Sequence, residues 1–380
     1  MIPRLLQKKL VEAAKHSPVI TLTGPRQSGK TTLARAAFPK LPYVNLEPLD
    51  TRAFAREDSR GFLARYPSGA ILDEIQNVPE LLSYLQEQVD AAPSHSLRYL
   101  LTGSRNFSLM QSVSQSLAGR SLQMNLLPFS HEEIKTIKPP PASVWEFLWK
   151  GGYPRLYDGA KAGEWLPSYI ENYIERDVRS LAQVGDLGKF QTFLLLCAGR
   201  IGQMLNLSQL GNEAGIDHKT AARWISILEA SYIVFLLRPY HENFSKRLVK
   251  TPKLYFWDTG LACSLLRIRT ATDLDVHFAR GSLFENLAIV ERLKHQINQG
   301  ERPEAWFFRD STGLEVDLLE NDGHGGLQIY EIKSSQTIHP EMFSGLKKLQ
   351  AAAGDKITAS HLIYTGSESY TRSGIRIHGI

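Results

Sequence analysis

A glycine-rich loop near the start of the chain contains residue types that bind phosphate groups. It lies between an apolar stretch and a helical pattern, and it reads Gly24-Pro25-Arg26-Gln27-Ser28-Gly29-Lys30-Thr31-Thr32. Glycine lets backbone N–H groups turn toward phosphates, the Lys30 amine can reach the β- and γ-phosphates, and the Thr31 hydroxyl can hold Mg²⁺. The spacing predicts a P-loop in its usual strand–loop–helix setting. A chance match in a structural loop is the alternative.

Two neighbouring carboxylates, Asp73 and Glu74, end the later apolar stretch "GAILDEIQ". After a phosphate-binding loop, an aspartate in this position completes the Mg²⁺ shell. A glutamate beside it orients and polarises the attacking water, as a general base does. The alternative is a pair of carboxylates that caps a helix.

Two further polar residues belong to the same predicted chemistry. Ser104 ends the next apolar stretch, "LRYLLTGS", where a hydroxyl can sense the γ-phosphate from the neighbouring strand. Arg120 follows Gly119 and can reach the γ-phosphate in a neighbouring subunit as an arginine finger. A plain surface arginine is the alternative for Arg120.

Four residues near the C-terminal end could bind metal and cleave a phosphodiester. Asp317 and Glu331 can share one or two Mg²⁺ ions, which polarise the phosphodiester and lower the pKa of a bound water. Lys333 lies two residues after Glu331 in a strand pattern, so both face the same side, and Glu285 on a preceding helix can add a ligand. The alternative is an inert site in which Lys333 pairs with both carboxylates.

The elements that must position these groups can be read from the apolar pattern. In the first third, apolar stretches alternate with helical patterns, and candidate strands include 44–47 and 122–127. This alternation predicts a doubly wound, mostly parallel α/β sheet with its ligands at the carboxyl ends of the strands. In the last third the predicted order is helix, three strands, helix, strand, which resembles the restriction-endonuclease-like nuclease core.

Six short motifs together resemble a family of bacterial and archaeal AAA-type ATPases. They are "GPRQSGKTT", "LDEIQ", "LTGSRNFSLM", "SLAGR", "LLPFS" and "GGYP", and the resemblance covers nearly the whole chain. It implies an N-terminal AAA domain that hydrolyses ATP with a catalytic glutamate, with Mg²⁺ as cofactor and a helical lid after the core. It also implies assembly into a homo-oligomer through the ATPase domain. The resemblance does not indicate the function of the C-terminal region.

The middle of the chain has the spacing of a helix-turn-helix. Ser208 begins a short helix, Gly215 makes the turn and Asp217 caps the second helix, and a following hairpin would complete a winged helix. Six basic side chains on the second helix and at or near the wing tip would neutralise DNA phosphates: Lys219, Arg223, Lys246, Arg247, Lys250 and Lys253. The alternative is a winged helix that serves protein interaction or oligomerisation.

Composition sets outer limits on these interpretations. A chain of 380 residues is long enough for two to four domains, and a net charge of +5 permits a polyanionic partner without requiring one. We expect no membrane partner, because there is no apolar run of eighteen residues, and the basic N-terminus lacks a signal-peptide pattern. The two cysteines indicate a reduced, cytoplasmic chain.

The sequence therefore predicts an α/β protein with four parts. These are an AAA-type P-loop ATPase core (1–130), a helical lid (131–185), a winged helix (186–258) and a restriction-endonuclease-like domain (259–380). The predicted function is ATP hydrolysis by a DNA-binding ATPase whose C-terminal half remodels or cleaves DNA. The alternative is a slow ATP-driven regulatory switch whose C-terminal half binds proteins and is not a nuclease.

Overall fold

The computed structural model describes residues 2–91, 97–104, 117–175, 186–240 and 250–380. The α-helices of these segments are α1 (Leu6–Ala13), α2 (Lys30–Ala37), α3 (Leu49–Glu57), α4 (Ser59–Ala64), α5 (Leu81–Ala91), α6 (His131–Ile134), α7 (Val144–Lys150), α8 (Ala162–Tyr169), α9 (Leu187–Ala198), α10 (Leu207–Ala214), α11 (His218–Ala230), α12 (Thr259–Leu265), α13 (Arg280–Asn298) and α14 (Ser344–Ala353). The strands are β1 (Val19–Gly24), β2 (Tyr43–Asn45), β3 (Ala70–Asp73), β4 (Tyr99–Ser104), β5 (Ser121–Asn125), β6 (Val234–Pro239), β7 (Lys253–Phe256), β8 (Ala305–Arg309), β9 (Glu315–Asn321), β10 (Leu327–Lys333), β11 (Ile357–Tyr364), β12 (Tyr370–Arg372) and β13 (Ile375–Gly379).

The first sheet has five strands in the order β2-β3-β4-β1-β5, and the pairings along it are parallel. Every residue of β1 and β3 is buried, as expected of strands that are covered on both faces. Parallel strands end at the same edge, so the loop after β1 and the carboxylates after β3 meet there. The predicted parallel α/β sheet is confirmed.

The helix-turn-helix pattern corresponds to helices α10 and α11. Gly215 adopts a left-handed φ of 69° at the turn, and Asp217 caps α11 by accepting a hydrogen bond from the Thr220 backbone N–H at 2.9 Å. Helix α10 begins at Leu207 rather than at Ser208, because Asn206 caps it by accepting from the Gln209 N–H at 3.0 Å.

The second sheet joins the middle of the chain to its C-terminal part. Its eight strands have the order β12-β13-β11-β10-β9-β8-β6-β7. The β6–β7 hairpin pairs in antiparallel fashion, and β6 then runs parallel to β8, with Arg238 opposite Trp306. One sheet thus crosses residue 258, which the sequence pattern did not indicate. The four domain boundaries stay a prediction.

The C-terminal elements follow the predicted order of helix, three strands, helix, strand, as α13, β8, β9, β10, α14 and β11. Strand β9 is antiparallel to β10, and β10 is parallel to β11. Strands β12 and β13 extend the sheet beyond β11 and were not predicted. Asp317 on β9 and Glu331 on β10 are thereby placed on neighbouring strands.

Two further observations concern the cysteines and the search for membrane-spanning helices. Both cysteines, Cys197 and Cys263, are buried and free. Within the segments that the structure describes, no helix combines the length and the apolar character needed to cross a membrane.

Candidate nucleotide site and C-terminal charge cluster

The loop between β1 and α2 has the backbone geometry that phosphate binding requires. Gly24 has a φ of 152°, and a Cβ there would meet the Leu126 carbonyl oxygen at 2.1 Å, so only glycine fits. Gly29 has a φ of 95° and stands at the N-terminal end of α2. Ser28 is fully buried, and its hydroxyl has no hydrogen-bond partner among the described residues. The loop therefore holds a buried polar group that a phosphate oxygen can satisfy.

Lys30 is buried at the base of this loop. Its ammonium donates to the carbonyl oxygens of Gly24 at 3.1 Å and Pro25 at 2.8 Å. Burial lowers the pKa of Lys30 to about 8, although the charges of Glu74 and Asp73 partly oppose the shift. The group thus gains proton affinity when an anionic phosphate arrives.

Asp73 collects three hydroxyl donors at the end of β3. Its Oδ2 accepts from Thr31 at 2.8 Å and from Tyr43 at 2.7 Å, and its Oδ1 accepts from Thr102. Thr31 and Asp73, which were predicted to hold Mg²⁺, are therefore in direct contact. A hydroxyl and a carboxylate are hard oxygen donors, so this pair fits a Mg²⁺ ion.

Glu74 follows Asp73 in a left-handed conformation, with a φ of 60°. A non-glycine residue rarely adopts this region, and such conformations concentrate at functional sites. The carboxylate is half-buried, accepts a hydrogen bond from the Gln76 amide and lines a cavity of about 400 Å³ over the P-loop. Its role as a general base stays a prediction.

The predicted lid closes the other side of this cavity. The Tyr169 hydroxyl at the end of α8 donates to the Arg26 carbonyl oxygen of the P-loop at 3.1 Å. Arg155, which follows "GGYP", lines the cavity and pairs with Asp158 at 3.2 Å on an exposed surface. An adjoining cavity of about 380 Å³ next to Gly29 has apolar walls that include Phe129 and Tyr157.

Arg4 contributes to the site and was not identified from the sequence. Its guanidinium donates to the Ser28 carbonyl oxygen at 2.8 Å, to the Leu127 carbonyl oxygen at 2.6 Å and to Glu133 at 3.0 Å. Glu133 also accepts from the backbone N–H groups of Leu5 and Ser130, within a capping box. Arg4 therefore ties the P-loop to the distant segment "LLPFS".

The two remaining predicted ATPase residues are less well defined. Ser104 is the last residue of β4, and its side chain lies outside the described part of the chain. Arg120 forms a two-pronged ion pair with Asp90, with contacts of 2.5 and 2.9 Å, on the protein surface. The pair fits the surface alternative in a single chain, and the role in a neighbouring subunit stays a prediction.

The C-terminal candidates meet in one charge cluster. The Lys333 ammonium lies 2.6 Å from Glu331 and 3.9 Å from Asp317. Asp317 also accepts a hydrogen bond from the Ile332 backbone N–H at 2.8 Å, and its negative charge raises the pKa of Glu285. The structure thus brings together the four residues that the sequence grouped: Glu285, Asp317, Glu331 and Lys333.

Lys253 belongs to this cluster, and its predicted contact with DNA is wrong. Its side chain is 4% exposed in β7, and its ammonium lies 3.3 Å from Glu285 and 2.6 Å from Glu315. Burial alone would lower its pKa, but the charges of Glu285, Asp317 and Glu315 outweigh burial and raise it. A buried ammonium held between these two carboxylates cannot reach a DNA phosphate.

Two glutamates of the cluster have raised pKa values. Burial, with the charge of Asp317, raises the pKa of both Glu285 and Glu331 to about 7. In the described segments, no three His, Cys, Asp or Glu side chains are placed to hold one metal ion. The two ammonium groups instead compensate the carboxylates, which favours the inert alternative. The metal role of Asp317 and Glu331 stays a prediction.

The remaining basic candidates are exposed where the structure describes them. Lys219 and Arg223 lie on the outer face of α11, whose inner face buries Ala221, Trp224 and Leu228. Lys250, before β7, is also exposed. Lys246 and Arg247 fall outside the described residues.

Three family descriptions match successive parts of the chain. Residues 16–135 match a family described as an AAA domain. Residues 142–272 and 280–379 match two domains of unknown function, DUF8612 and DUF4143.

Two of the similar proteins are described as uncharacterized. The chain is 29% identical over 357 residues to the uncharacterized protein Rv2008c of Mycobacterium tuberculosis, a match that spans 90% of this chain and 77% of that protein. It is 21% identical over 269 residues to the uncharacterized protein MJ1544 of Methanocaldococcus jannaschii, spanning 65% of this chain and 57% of that protein.

Among solved structures, the Walker-type ATPase PABY2304 of Pyrococcus abyssi aligns with a TM-score of 0.46 at 16% identity. That alignment covers 69% of this chain and 94% of PABY2304. The STAND protein PH0952 of Pyrococcus horikoshii, which has a tetratricopeptide repeat sensor, aligns with a TM-score of 0.30 at 12% identity, over 77% of this chain and 46% of PH0952.

The match and the geometry coincide in the N-terminal part. The P-loop, the buried lysine and the Asp73-Glu74 pair at the edge of a parallel sheet all fall within residues 16–135. The N-terminal part of the chain therefore has both the sequence match and the geometry of an AAA domain with a P-loop, and these two findings support ATPase activity.

Proposed function

We propose that this ATPase binds DNA through its helix-turn-helix and couples ATP turnover to its C-terminal half. The observation that carries the proposal is the outer face of α11. Lys219 and Arg223 are exposed on this face, whereas the residues on the opposite face of the helix are buried. A recognition helix needs such a free basic face, because phosphate neutralisation supplies most of the affinity for DNA.

The proposed ATP site uses the residues around the first cavity. The P-loop backbone and Lys30 bind the phosphates, and the apolar cavity beside Gly29 receives the base. Thr31 and Asp73 would hold Mg²⁺, which supplies charge neutralisation at the β- and γ-oxygens. Glu74 accepts a proton from the attacking water. Replacing Glu74 with Gln should leave ATP bound and uncleaved, as a filter-binding and phosphate-release assay can show.

For the C-terminal cluster we propose a binding platform rather than a nuclease. Lys253 and Lys333 compensate Glu285, Glu315 and Glu331 at distances of 2.6 to 3.3 Å. A cation would have to displace one of these ammonium groups before it reached the carboxylates. This proposal predicts that the wild type does not nick plasmid DNA in the presence of Mg²⁺ or Mn²⁺. Nicking that Asp317→Ala abolishes would instead establish the metal-dependent site.

The main test measures the ATPase rate with and without duplex, single-stranded and branched DNA. At least one form should stimulate turnover, and Lys219→Ala/Arg223→Ala should weaken binding of that form. If each side chain neutralises one phosphate, the log–log salt slope should shrink by about 0.9 for each of the two side chains removed. The matched control is Lys8→Ala/Lys15→Ala, which removes the same charge from exposed positions elsewhere.

The outcomes separate DNA binding from the regulatory alternative. An unchanged salt slope in the α11 variant, or no binding of any DNA form, would overturn the DNA role. The regulatory switch, in which the C-terminal half binds protein, would then be the better proposal. ATP hydrolysis by the wild type is expected in either case, because the DNA contacts share no residue with the ATP site.

A further inference from the structure

Tyr232 connects the end of helix α11 to the strand that leads into the P-loop. Its hydroxyl donates to Asn125 Oδ1 at 2.7 Å and lies 3.0 Å from Thr23 Oγ1. Thr23 Oγ1 in turn donates to Asn125 Oδ1 at 2.9 Å. Three polar atoms from β1, β5 and the turn after α11 thus form one triangle.

Two of the three groups are buried, and the triangle contains only two hydroxyl protons. Tyr232 is 4% exposed and Thr23 is 2% exposed. Two hydroxyl protons serve three contacts, and both point to the Asn125 oxygen in the arrangement described. Removing either hydroxyl leaves the other two groups in place but deprives Asn125 of one of its two donors.

The backbone holds Tyr232 in position from the side of α11. Its φ is 56°, in the left-handed region that a bulky side chain rarely adopts. The Tyr232 N–H donates to the Glu229 carbonyl oxygen at 3.1 Å, and the Ile233 N–H donates to the Leu228 carbonyl oxygen at 2.9 Å. These bonds end helix α11 and fix the tyrosine to its last turn. A movement of α11 therefore moves the hydroxyl.

Thr23 is the last residue before the P-loop glycine. Its carbonyl oxygen accepts the Leu126 N–H at 2.7 Å, and the next carbonyl oxygen, that of Gly24, accepts from the Lys30 ammonium at 3.1 Å. A short chain of bonded groups thus joins the Tyr232 hydroxyl to the lysine that binds phosphate. Displacement of reacting groups by about 1 Å can change a rate by about a hundredfold.

We propose that Tyr232 is a positioning residue for ATP hydrolysis, through which the helix-turn-helix segment sets the position of the P-loop. This inference rests on the ATPase activity alone and does not depend on what α11 binds. The described contacts of the Tyr232 hydroxyl are with Thr23 and Asn125, and the tyrosine acts through these two groups.

The first test is Tyr232→Phe, which removes the hydroxyl and keeps the ring. We expect kcat for ATP to fall several-fold, because Lys30 is no longer aligned with the charge that develops in the transition state. The dissociation constant for ATP should change by less than about twofold, because the backbone donors of the loop still bind the phosphates.

A matched control separates positioning from general loss of stability. Tyr330 is equally buried, and its hydroxyl donates to Gln328 at 2.8 Å in the second sheet. Tyr330→Phe also removes a hydrogen-bonded tyrosine hydroxyl and should lower the melting temperature by a similar amount, yet leave kcat unchanged. If both variants have the same kcat, Tyr232 has only a structural role and the proposal fails.

A second variant tests whether the triangle acts as one unit. Thr23→Val removes the other hydroxyl with little change of shape, and kcat should again fall. The double variant Thr23→Val/Tyr232→Phe should have about the kcat of the more impaired single variant, because both changes break the same link. Two effects that multiply would contradict the link, even if each single variant is slow. DNA is absent from all these assays, so the result is independent of the DNA proposal.

Discussion

At the level of single residues, Lys30 shows how burial prepares a group for its ligand. Its pKa of about 8 reflects burial first, with Glu74 and Asp73 opposing the shift. A bound phosphate adds negative charge and raises the pKa again. At pH 8, about half of the free enzyme lacks this proton, so ATP binding should take up about half a proton.

Calorimetric titrations at pH 8 in buffers of different ionisation enthalpy measure this uptake. At pH 6.5 the contribution of Lys30 should be close to zero, because the amine is already protonated. Glu74→Gln, which we expect to bind ATP, offers a comparison. It removes a charge that raises the pKa of Lys30, so the uptake should begin at a lower pH. The same uptake curve in both proteins would show that Lys30 is not its source.

The acids of the C-terminal cluster predict a second pH effect, now on stability. Burial and Asp317 raise the pKa of Glu331 and Glu285 from 4.5 to about 7. Between these values the folded state binds more protons than the unfolded state, so the free energy of unfolding falls as the pH rises. If Glu285 and Glu331 together bind one additional proton in the folded state, the free energy of unfolding falls by at most about 1.4 kcal/mol per pH unit.

Urea unfolding at pH 5, 6 and 7 should therefore show that the free energy of unfolding of the C-terminal half decreases as the pH rises. Glu331→Gln keeps an acceptor for Lys333 and should flatten this dependence. Glu368→Gln changes an exposed carboxyl instead and should leave it as in the wild type. A wild type whose stability rises from pH 5 to pH 7 would contradict the assignment.

At the level of elements, Arg4 joins the N-terminal segment, the P-loop and the turn that starts α6. The Arg4–Glu133 pair is nearly inaccessible, with side chains 8% and 1% exposed. Arg4→Met leaves a buried carboxylate without its cation and should lower the free energy of unfolding by about 3–5 kcal/mol. Thermal or chemical denaturation measures this loss.

Two comparisons make the Arg4 prediction specific. Arg60→Met breaks an exposed pair with Glu87 and should cost only about 0–1 kcal/mol. Arg4→Met/Glu133→Met removes both charges and should recover part of the loss. If Arg4→Met is no more harmful than Arg60→Met, the buried pair does not support the P-loop.

Local patterns and long-range contacts differ in how far the sequence reveals them. The P-loop, the Asp73-Glu74 pair and the cap at Asp217 depend on neighbours along the chain, so residue types and spacing predicted them. Arg4 and Glu133 are 129 positions apart, and Thr23 and Tyr232 are 209 positions apart. Such pairs follow from how elements pack, which a single sequence does not show.

The same limit explains the errors in the C-terminal half. Strand periodicity placed Glu331 and Lys333 on one face, but it could not show that Lys253 enters the cluster from the hairpin. The basic run before β7 resembled a wing tip, whereas β7 is the edge strand of the second sheet and its first residue, Lys253, points its ammonium at Glu285 and Glu315. Charge alone did not distinguish an exposed lysine from one neutralised in the interior.

At the level of the whole molecule, helix α13 links the two halves. Its Lys294 ammonium donates to the Phe129 carbonyl oxygen at 2.9 Å, and its Glu291 accepts the His131 backbone N–H at 2.7 Å. Two turns earlier, the same helix places Glu285 in the C-terminal cluster. One continuous helix of 19 residues thus contacts both the segment held by Arg4 and the proposed binding platform.

Tyr232 and helix α13 together predict reciprocal coupling between ATP and the ligand of the C-terminal half. If DNA is that ligand, ATP should change the dissociation constant for DNA by a factor in the range of about 5 to 150, and DNA must change the dissociation constant for ATP by the same factor. Both measurements are made at equilibrium with Glu74→Gln, which we expect to bind ATP without cleaving it. Fluorescence anisotropy with labelled DNA and with a labelled ATP analogue gives the two factors.

Breaking the links should reduce the coupling without abolishing either binding event. Lys294→Met in the Glu74→Gln background removes the hydrogen bond to Phe129, so both factors should move toward one by the same amount. Lys161→Met is the control, because that lysine is exposed on the lid and its described ion pair is with Glu164 at 3.3 Å. DNA and ATP that bind tightly but independently in the Glu74→Gln protein would mean that the halves are connected without being coupled. In that case the contacts of α13 hold the molecule together and transmit nothing between its sites.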